Sequence, residues 1–572
     1  MDAELKEILL IEAEKHALYN ALKYQGPSQV KTVMGILMAD YPDFRKFANE
    51  IPALISPLIE QVNSLENSAQ LQKLTNLAPN LVEQLEEEFV EVPKRQLPDL
   101  PNANSYDQIR MRVAPNPNGP WHIGHARMPS VIGTYKSLYD GWFACRFDDT
   151  DPATKRPLLE AYDWILEDIQ YLGFEPDEVI MASDRLNLYY DHALQLINLN
   201  GAYTCTCPSS DFSNLKNSGH PCPHRENSIE QTLNEFQDMI DGNFSAGEVV
   251  LRVRTDLSNS NPALRDWVAF RMVDVPHPRE VAQTHRCWPL LDFQSAIDDH
   301  LLEITHIIRG IDLQDSAKRQ QYLYNYFNWN YPEVVHWGRI NIDDHSVPLS
   351  TSSMSNSIES GSFTGWSDLQ LPILRNFKKR GIHGDAITSS MIELGTSTNN
   401  ITLSISTIYS KNRSHIDKVA DRLFFIKNPS EKQIFGRNLP ETVEIPMHPD
   451  HTERGFRKLA ITPSIFIDSS DIPGAEDILY LKGIGSVRYT RDSFEFIEND
   501  FSSAQSQSLP IIHWLPSTHE QLCLKTSQGE FNGIVESTIC NYNSGDLIQF
   551  ERVGFAKLDI SSGVYAAYFS HP

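Results

Sequence analysis

The stretch RVAPNPNGPWHIGHAR, from Arg112 to Arg127, decides the fold that we predict for this chain. It begins like a strand, turns at the Pro, Asn and Gly residues of positions 115–119, and opens a helix at His122–His125. A helix that starts at the end of a parallel strand has unpaired amides and the positive end of its dipole, so it binds anions. The stretch therefore predicts a parallel α/β sheet with a phosphate site after its first strand.

Three residues of this helix start suit a nucleotide. Gly124 keeps side-chain bulk away, so that a base or ribose can stack on the backbone. His122 and His125 can donate to phosphate oxygens as negative charge builds there. The alternative is a helix start with two surface histidines, and a tetrapeptide alone does not exclude it. The flanking sequence has to decide between the two.

Three further segments follow the tetrapeptide HIGH (His122–His125) along the chain. They are RFDDTDPATKRP (Arg146–Pro157), LLDFQSAIDDHLLEITHIIRG (Leu290–Gly310) and GDLIQFERVGFAKLD (Gly545–Asp559). In this order the four resemble the segments of archaeal-type glutamyl-tRNA synthetases, which are class I aminoacyl-tRNA synthetases, and the likeness covers nearly the whole chain. The resemblance implies an ATP-dependent ligase that joins L-glutamate to tRNA(Glu) through glutamyl-adenylate, with ATP and Mg²⁺ as cofactors; some relatives also charge tRNA(Gln).

The resemblance also implies the site residues. The catalytic set is His122, His125 and Ser353, and the ATP contacts are Pro115, Gly119, His122, Gly124, His125 and Ser352. The substrate amino acid is expected to meet Arg112, Asp148, Trp288, Leu291 and Arg309.

Two of these expectations have open alternatives in the sequence itself. Asp148, Asp149 and Asp151 could bind an ammonium group, cap a helix or hold Mg²⁺; the family favours Asp148 for the α-ammonium of the amino acid. Arg309 leaves an apolar strand at a sheet end, where the family uses an arginine for the side-chain carboxylate of glutamate. It could instead bridge to a carboxylate such as Asp312.

The second class I signature departs from the family. The family form of this lysine-bearing loop is close to LSTSKM, but residues 349–354 read LSTSSM, with Ser353 in place of the lysine. A lysine there would neutralise charge on the departing pyrophosphate. Downstream, Leu369 and Gln370 replace the Pro and Arg of a tRNA-contact segment. Two rival functions follow: a glutaminyl-tRNA synthetase, and a paralogue that binds tRNA but has lost activation.

Residues 201–284 look like an insertion with its own metal site. Cys205, Cys207, Cys222 and His224 offer three thiols and an imidazole, the ligands that zinc prefers. The alternative is three reduced cysteines beside a surface histidine. A zinc site of this pattern occurs at this place in some family members, so we expect structural Zn²⁺.

Composition limits the class of protein. Lys plus Arg is 49 and Asp plus Glu is 75, which gives a net charge of −26 and argues against a general nucleic-acid coat. A tRNA partner then needs local basic patches. No apolar run reaches membrane-spanning length, and seven cysteines suit a reducing cytoplasm. We expect a cytoplasmic monomer that contacts tRNA through Arg375, Lys378, Lys379 and Arg380, for which the alternative is a solvated helix face.

The chain is expected to contain several domains, of both α/β and all-β class. Apolar spacing predicts helices near the N-terminus, a βαβ rhythm follows, and short strands between turn residues predict β-barrels at the end. The expected regions are a helical appendage (1–100), a Rossmann-type catalytic domain split between 101–200 and 285–345, the acceptor-end-binding insertion (201–284), a signature-loop and helical stem-contact region (346–430), and anticodon-binding β-barrels (431–572).

Overall fold

The computed structural model describes residues 3–24, 28–48, 50–65, 67–79, 81–82, 97–343, 349–561 and 563–572. These residues form two compact units, Met1–Gln96 and Leu97–Pro572. The boundary falls in a proline-containing stretch that the sequence marks as a linker.

The first unit is helical. Its core contains buried Leu9, Leu37, Ile55 and Leu74. The helix over Ile51–Asn63 was not predicted, since two prolines interrupt its sequence, although its apolar residues recur at helical spacing. The helix predicted over 71–90 is found up to Leu77; residues 79, 81 and 82 are again helical, and residues 80 and 83–90 lie outside the described part. The helices are α1 (Ala3–Tyr24), α2 (Val30–Asp40), α3 (Ile51–Asn63) and α4 (Asn67–Leu77).

The second unit alternates strands and helices from its start. Its helices up to residue 416 are α5 (Arg127–Tyr139), α6 (Leu159–Tyr171), α7 (Leu186–Asn198), α8 (Ser209–Ser218), α9 (Ile229–Ile240), α10 (Leu291–Leu301), α11 (Gln314–Phe327), α12 (Thr351–Glu359), α13 (Leu374–Lys379), α14 (Gly384–Leu394) and α15 (Ile405–Ile416). Its strands over the same part are β1 (Arg110–Val113), β2 (Trp142–Phe147), β3 (Glu178–Met181), β4 (Ala202–Cys205), β5 (Val250–Val253), β6 (Val268–Met272), β7 (Cys287–Pro289), β8 (His306–Gly310), β9 (Glu333–Trp337), β10 (Ile340–Ile342) and β11 (Ile401–Leu403).

Parallel strands form the centre of this unit. β1, β2 and β3 pair in that order, and β8 pairs with β9. The amide of Thr305 donates to the carbonyl of Arg110 at 2.9 Å, so β8 lies beside β1. Helices α5 and α6 make the crossovers that parallel neighbours require. This arrangement confirms the predicted α/β class, and it brings the carboxyl ends of β1, β2 and β8 to one edge.

The insertion interrupts this parallel layer with an antiparallel sheet. Strands β4 to β7 pair in sequence order, and α9 packs over them through Phe236 and Met239. β7 leads directly into α10, which returns the chain to the parallel layer. The insertion is therefore connected to the parallel layer at both ends, through α7 after β3 and through α10 before β8.

The C-terminal part is almost entirely β. Two seven-stranded sheets follow, each with its own buried core, as the short strands and turn residues predict. The helix and strands are α16 (Phe501–Ser506), β12 (Asp421–Leu423), β13 (Phe425–Ile426), β14 (Pro429–Phe435), β15 (Thr442–Pro446), β16 (Phe456–Ala460), β17 (Ser464–Asp468), β18 (Ile478–Leu481), β19 (Gly485–Thr490), β20 (Ser493–Glu498), β21 (Ile511–Ile512), β22 (Leu515–Pro516), β23 (His519–Thr526), β24 (Gly529–Glu536), β25 (Leu547–Phe550), β26 (Gly554–Ser561) and β27 (Val564–His571).

Candidate active site

A cavity of about 960 Å³ opens at the edge where β1, β2 and β8 end. Ligands of open parallel sheets bind at this edge, because the loops that follow the strands surround it. Most of the predicted site residues meet there, although they are far apart in the sequence. The cavity is lined, among others, by Arg112, Pro115, Gly119, His122, His125, Asp148, Leu291, Arg309 and Ser352.

The two histidines of the opening stretch are buried against each other. Their rings stack with centroids 3.7 Å apart and an interplanar angle of 24°. A bridge from His122 to Ile373, and a 2.9 Å hydrogen bond from the amide of Ile123 to the carbonyl of Pro372, hold the turn. Burial lowers the pKa of His122 to about 4, and burial together with His122 lowers the pKa of His125. Both rings are therefore neutral at pH 7.

The geometry around this turn leaves room for a ligand but not for larger side chains. Nδ1 of His122 and of His125 is buried without a hydrogen-bond partner among the described residues. A Cβ atom on Gly124 would lie 3.1 Å from the His122 ring, and one on Gly119 would lie 2.6 Å from Cγ2 of Thr351. Glycine thus lets the turn approach the signature loop.

A buried carboxylate, Asp299 of α10, organises the arginines of the cavity floor. Arg112 donates to its two oxygens from Nε at 2.9 Å and Nη2 at 3.1 Å, and Arg146 donates from Nη1 at 2.8 Å. Nη2 of Arg309 lies 4.0 Å from Oδ2. Burial alone would raise the pKa of Asp299, but the arginines lower it to about 2. Arg112 was expected to face the substrate; its partner in the fold is Asp299.

Asp148 lies on the same floor. It accepts hydrogen bonds from Nε of Arg146 at 2.8 Å and from Nε2 of Gln294 at 3.1 Å. Burial raises its pKa, and the charge of Arg146 opposes this effect. Since Asp148 also lines the cavity, its carboxylate is placed to meet a cationic group of a ligand.

The other two aspartates of RFDDTDP have structural partners. Asp149 is fully buried and accepts from the Tyr162 hydroxyl at 2.7 Å and from the amide of Ser183 at 2.8 Å. Asp151 caps the following turn at the amide of Thr154, 2.9 Å away. Of the alternatives that the sequence leaves open, capping therefore explains Asp151.

Arg309 is held in place by a neutral side chain. Its Nη1 donates to Oε1 of Gln320 at 3.1 Å, and the Tyr331 hydroxyl donates to the same oxygen at 2.7 Å. Burial and Arg112 lower the pKa of Arg309. The alternative partner Asp312 pairs instead with Arg339, at 3.4 Å. Arg309 therefore keeps a positive charge at the cavity wall that no carboxylate fully neutralises.

Two predicted pocket residues have different positions. Leu291 lines the cavity with 41% of its surface exposed. Trp288 is fully buried, stacks on the His277 ring and donates to the carbonyl of His285 at 3.1 Å. The expectation that Trp288 contacts the amino acid is therefore corrected, because its ring belongs to the core between the insertion and α10.

The signature loop is the start of helix α12. Ser350 caps this helix by accepting from the amide of Ser353 at 3.4 Å. Ser350, Thr351 and Ser352 line the cavity, whereas Ser353 lies in the first helical turn outside the lining. The catalytic assignment of Ser353 is corrected in this respect: the hydroxyls at the cavity belong to the three preceding residues.

The four predicted metal ligands of the insertion converge. Their ligand atoms all lie within 4.8 Å of one another. Sγ of Cys205 and of Cys222 are 3.9 Å apart, close to the roughly 3.8 Å that two thiolates adopt around one tetrahedral zinc. Sγ of Cys207 lies 3.2 Å from Nδ1 of His224. Hydrogen bonding from Cys222, assisted by Arg252, lowers the pKa of Cys205.

The predicted tRNA patch on α13 is only partly exposed. Arg375 pairs with Glu167, and Lys379 lies 4.6 Å from the Tyr568 ring centroid. Lys378 is exposed. Arg380 is 7% exposed and donates to the carbonyl of Phe569 at 2.9 Å and to the Tyr409 hydroxyl at 3.0 Å. Arg380 is therefore corrected from a tRNA contact to a buried link between α13 and β27.

Sequence reasoning missed Asp299 and Gln320, which hold the arginines of the cavity. The sequence contains a signal for them: the Asp299 carboxylate and the Gln320 amide lie on helix faces that are otherwise buried, where a polar side chain needs a hydrogen-bond partner. The sequence did not say which arginine would meet them.

Comparisons with known proteins identify the family of this chain. The model of the catalytic domain of class I tRNA synthetases (E and Q) matches residues 108–418, and the model of their anticodon-binding domain matches residues 420–502. The chain is 52% identical to a glutamate–tRNA ligase of Haloarcula marismortui and 51% to one of Natronomonas pharaonis, over 100% of each chain. It is 39% identical to that of Methanosarcina acetivorans over 98% of each.

None of the described helices has the length and apolar character needed to cross a bilayer. The matched models cover more than half of the chain, and the relatives align with it from end to end. The chain therefore belongs to the glutamyl and glutaminyl subfamily of class I aminoacyl-tRNA synthetases, with archaeal glutamate–tRNA ligases as its relatives.

Proposed function

We propose that this chain joins L-glutamate to tRNA(Glu) in two steps. In the first step, an oxygen of the glutamate α-carboxylate attacks the α-phosphorus of ATP. The bond from that phosphorus to the bridging oxygen breaks, and pyrophosphate leaves. In the second step, a ribose hydroxyl of the terminal adenosine attacks the acyl carbon, loses its proton, and AMP departs. The relatives' names and the cavity at the sheet edge support this assignment.

The residues act by position and charge, and none needs to become a covalent intermediate. The neutral rings of His122 and His125 line the cavity, and each carries one ring N–H that can donate to a phosphate. Mg²⁺ bound with ATP would offset part of the phosphate charge. Asp148 receives the α-ammonium group, and the arginines above Asp299 receive carboxylate.

The observation that carries the choice of glutamate is the charge of the cavity floor. Arg112 and Arg146 of this floor are hydrogen-bonded to Asp299 and Asp148, whereas Arg309 lies 4.0 Å from Asp299 and donates to no carboxylate among the described residues. Glutamate and glutamine have nearly the same size, but the side chain of glutamate ends in a carboxylate and that of glutamine in an amide. The site therefore has to distinguish them by charge. Arg309, held by the neutral Gln320, is the group best placed to do so.

Aminoacylation assays test the proposal directly. The full chain should charge tRNA(Glu) with labelled glutamate but not with glutamine, and it should catalyse ATP–pyrophosphate exchange with glutamate when tRNA is present. Exchange without tRNA is a control, since relatives of this family can require tRNA for activation. Tight tRNA binding without exchange would instead establish a tRNA-binding paralogue, and preference for glutamine would establish a glutaminyl enzyme.

Two partners are part of the same proposal. We propose tRNA(Gln) as a second acceptor, which the same charging assay tests with that tRNA. Of the predicted patch, Lys378 and Lys379 remain available for tRNA phosphates, while Arg375 is shared with Glu167. We propose a monomeric enzyme, and sedimentation of the free chain would test this.

We also propose one structural Zn²⁺ in the insertion. Cys205, Cys207, Cys222 and His224 fit the ion by donor type and by the spacing of their ligand atoms. Nε2 of His224 lies 2.9 Å from the Thr206 hydroxyl, which orients the ring so that Nδ1 faces Cys207. Zinc would cross-link β4 to the segment at Cys222 and brace the insertion.

A further inference from the structure

The signature loop leaves a charge unaccounted for. No Lys or Arg occurs in the sequence between Arg339 and Arg375, so the loop brings no cation to the cavity. The N-terminus of α12 faces the cavity through Ser350 to Ser352 and supplies about half a positive charge. The departing pyrophosphate gains a full negative charge when its bond to the α-phosphorus breaks. Another cation should therefore face the phosphates.

Five cationic side chains line the cavity, and four already have acceptors in the protein. The ammonium of Lys155 has neither an ion pair nor a hydrogen bond to any residue that the structure describes, and the side chain is exposed. The four others are Arg112 with Asp299, Arg271 with Asp151 at 2.7 Å, Arg309 with Gln320, and Arg319 with Asp292 at 2.6 Å.

The backbone around Lys155 is held against the nucleotide side of the cavity. The amide of Leu158 donates to the carbonyl of Pro117 at 2.8 Å, which ties this segment to the turn before the histidines. Asp151 caps the preceding turn at the amide of Thr154. The neighbouring Arg156 donates to the carbonyl of Pro276 at 2.8 Å and is thus engaged elsewhere. Lys155 is the member of this turn left to meet a ligand.

We propose that Lys155 is a catalytic residue that contacts the β- and γ-phosphates of ATP in place of the missing signature-loop lysine. The inference rests on the proposed function. Its ammonium, on a flexible four-carbon stem, neutralises the charge that moves onto the bridging oxygen as pyrophosphate leaves. The proton stays on Lys155 throughout, and the leaving group departs with its electron pair. One segment, RFDDTDPATKRP, thereby contacts both substrates: Asp148 binds the amino acid, and Lys155 binds the nucleotide.

The test compares Lys155→Met, which removes the charge, with Lys155→Arg, which keeps it. ATP–pyrophosphate exchange is measured with saturating glutamate and tRNA(Glu). Loss of one well-placed donor lowers the exchange rate by about a hundredfold, so we expect this for Lys155→Met and less than a tenfold loss for Lys155→Arg. Inhibition by added pyrophosphate should weaken in Lys155→Met. Lys136→Met is the matched control, because Lys136 pairs with Asp177 at 2.7 Å outside the cavity lining; it should not change the rate.

The transfer step of the reaction distinguishes a role of Lys155 at the ATP phosphates from a role in binding tRNA. If Lys155 acts on ATP, transfer of glutamate from preformed glutamyl-adenylate to tRNA should keep its wild-type rate in Lys155→Met. A raised KM for tRNA with normal exchange would assign Lys155 to the acceptor end and overturn the proposal. Equal losses in the Met and Arg variants, or no loss in either, would overturn it as well. Failure of the proposed function would look different, because the wild-type chain itself would show no exchange with glutamate.

Discussion

Replacing Arg309 with glutamine tests whether charge selects the amino acid. The guanidinium is 7% exposed, and its Nη1 is fixed by Gln320. In the variant, a neutral amide would face the substrate side-chain carboxylate in a site shielded from water. A charge-assisted hydrogen bond contributes about 1.5–3 kcal/mol, so its loss should lower kcat/KM for glutamate by about 10- to 150-fold. Glutamine, which never had the ionic contact, should lose much less.

The assay is the ratio of the two kcat/KM values, measured with saturating ATP and tRNA(Glu). Arg339→Gln is the matched control: Arg339 is an arginine that follows β9, the strand paired with β8, but it is exposed and pairs with Asp312. The control should leave both the rates and the ratio unchanged. Thermal unfolding of each variant shows whether the fold is intact.

Three outcomes can be told apart. A ratio that falls by one to two orders of magnitude supports Arg309 as the specificity residue. An unchanged ratio, with a folded variant, would refute the reasoning and return glutaminyl activity to consideration. Equal losses for both amino acids, with a lower Tm, would mean that Arg309 serves mainly to balance the charge of Asp299.

Three further predictions follow from the metal cluster, the net charge and a buried histidine. Tag-free wild-type protein should contain one zinc per chain, and the double variant Cys205→Ser with Cys222→Ser should lose it; absence of zinc from the wild type would contradict the proposed site. Because the net charge is −26, raising KCl from 0.1 to 1 M should raise the Tm, since the Debye length falls from about 10 to about 3 Å; a falling Tm would contradict this. Burial lowers the pKa of His571 to about 4, below its value in the unfolded chain. The unfolded chain therefore binds more protons between pH 6.5 and 4, and the free energy of unfolding falls as the pH decreases through this window. His571→Gln should flatten this part of the pH profile of stability, measured by urea unfolding, and an unchanged slope would rule out His571 as its source.

Local chemistry explains why much of the fold was predictable. The apolar run over 142–147 predicts a strand, and β2 has these bounds; the strand predicted over 109–114 is found as β1, one residue shorter at each end, because apolar runs and turn residues act over a few positions. The helix predicted over 125–138 begins two residues late, at Arg127, because a short 3-10 turn over Ile123–Ala126 comes first. The clustering of the three cysteines' ligand atoms with His224 was predictable in the same way, because Cys205 to His224 span only twenty positions.

The sequence by itself thus determined the class of fold, the family, the turn and helix start at 115–125 and most of the charged residues around the cavity. Only the tertiary structure decided which of them pair. Arg112 and Asp299 are 187 positions apart, and Arg380 and Phe569 are 189 apart, so nothing local indicates that one arginine supports a carboxylate and the other joins α13 to β27. Burial fixes these partners, because a charge removed from water must find a counter-charge or a carbonyl wherever the packing brings one.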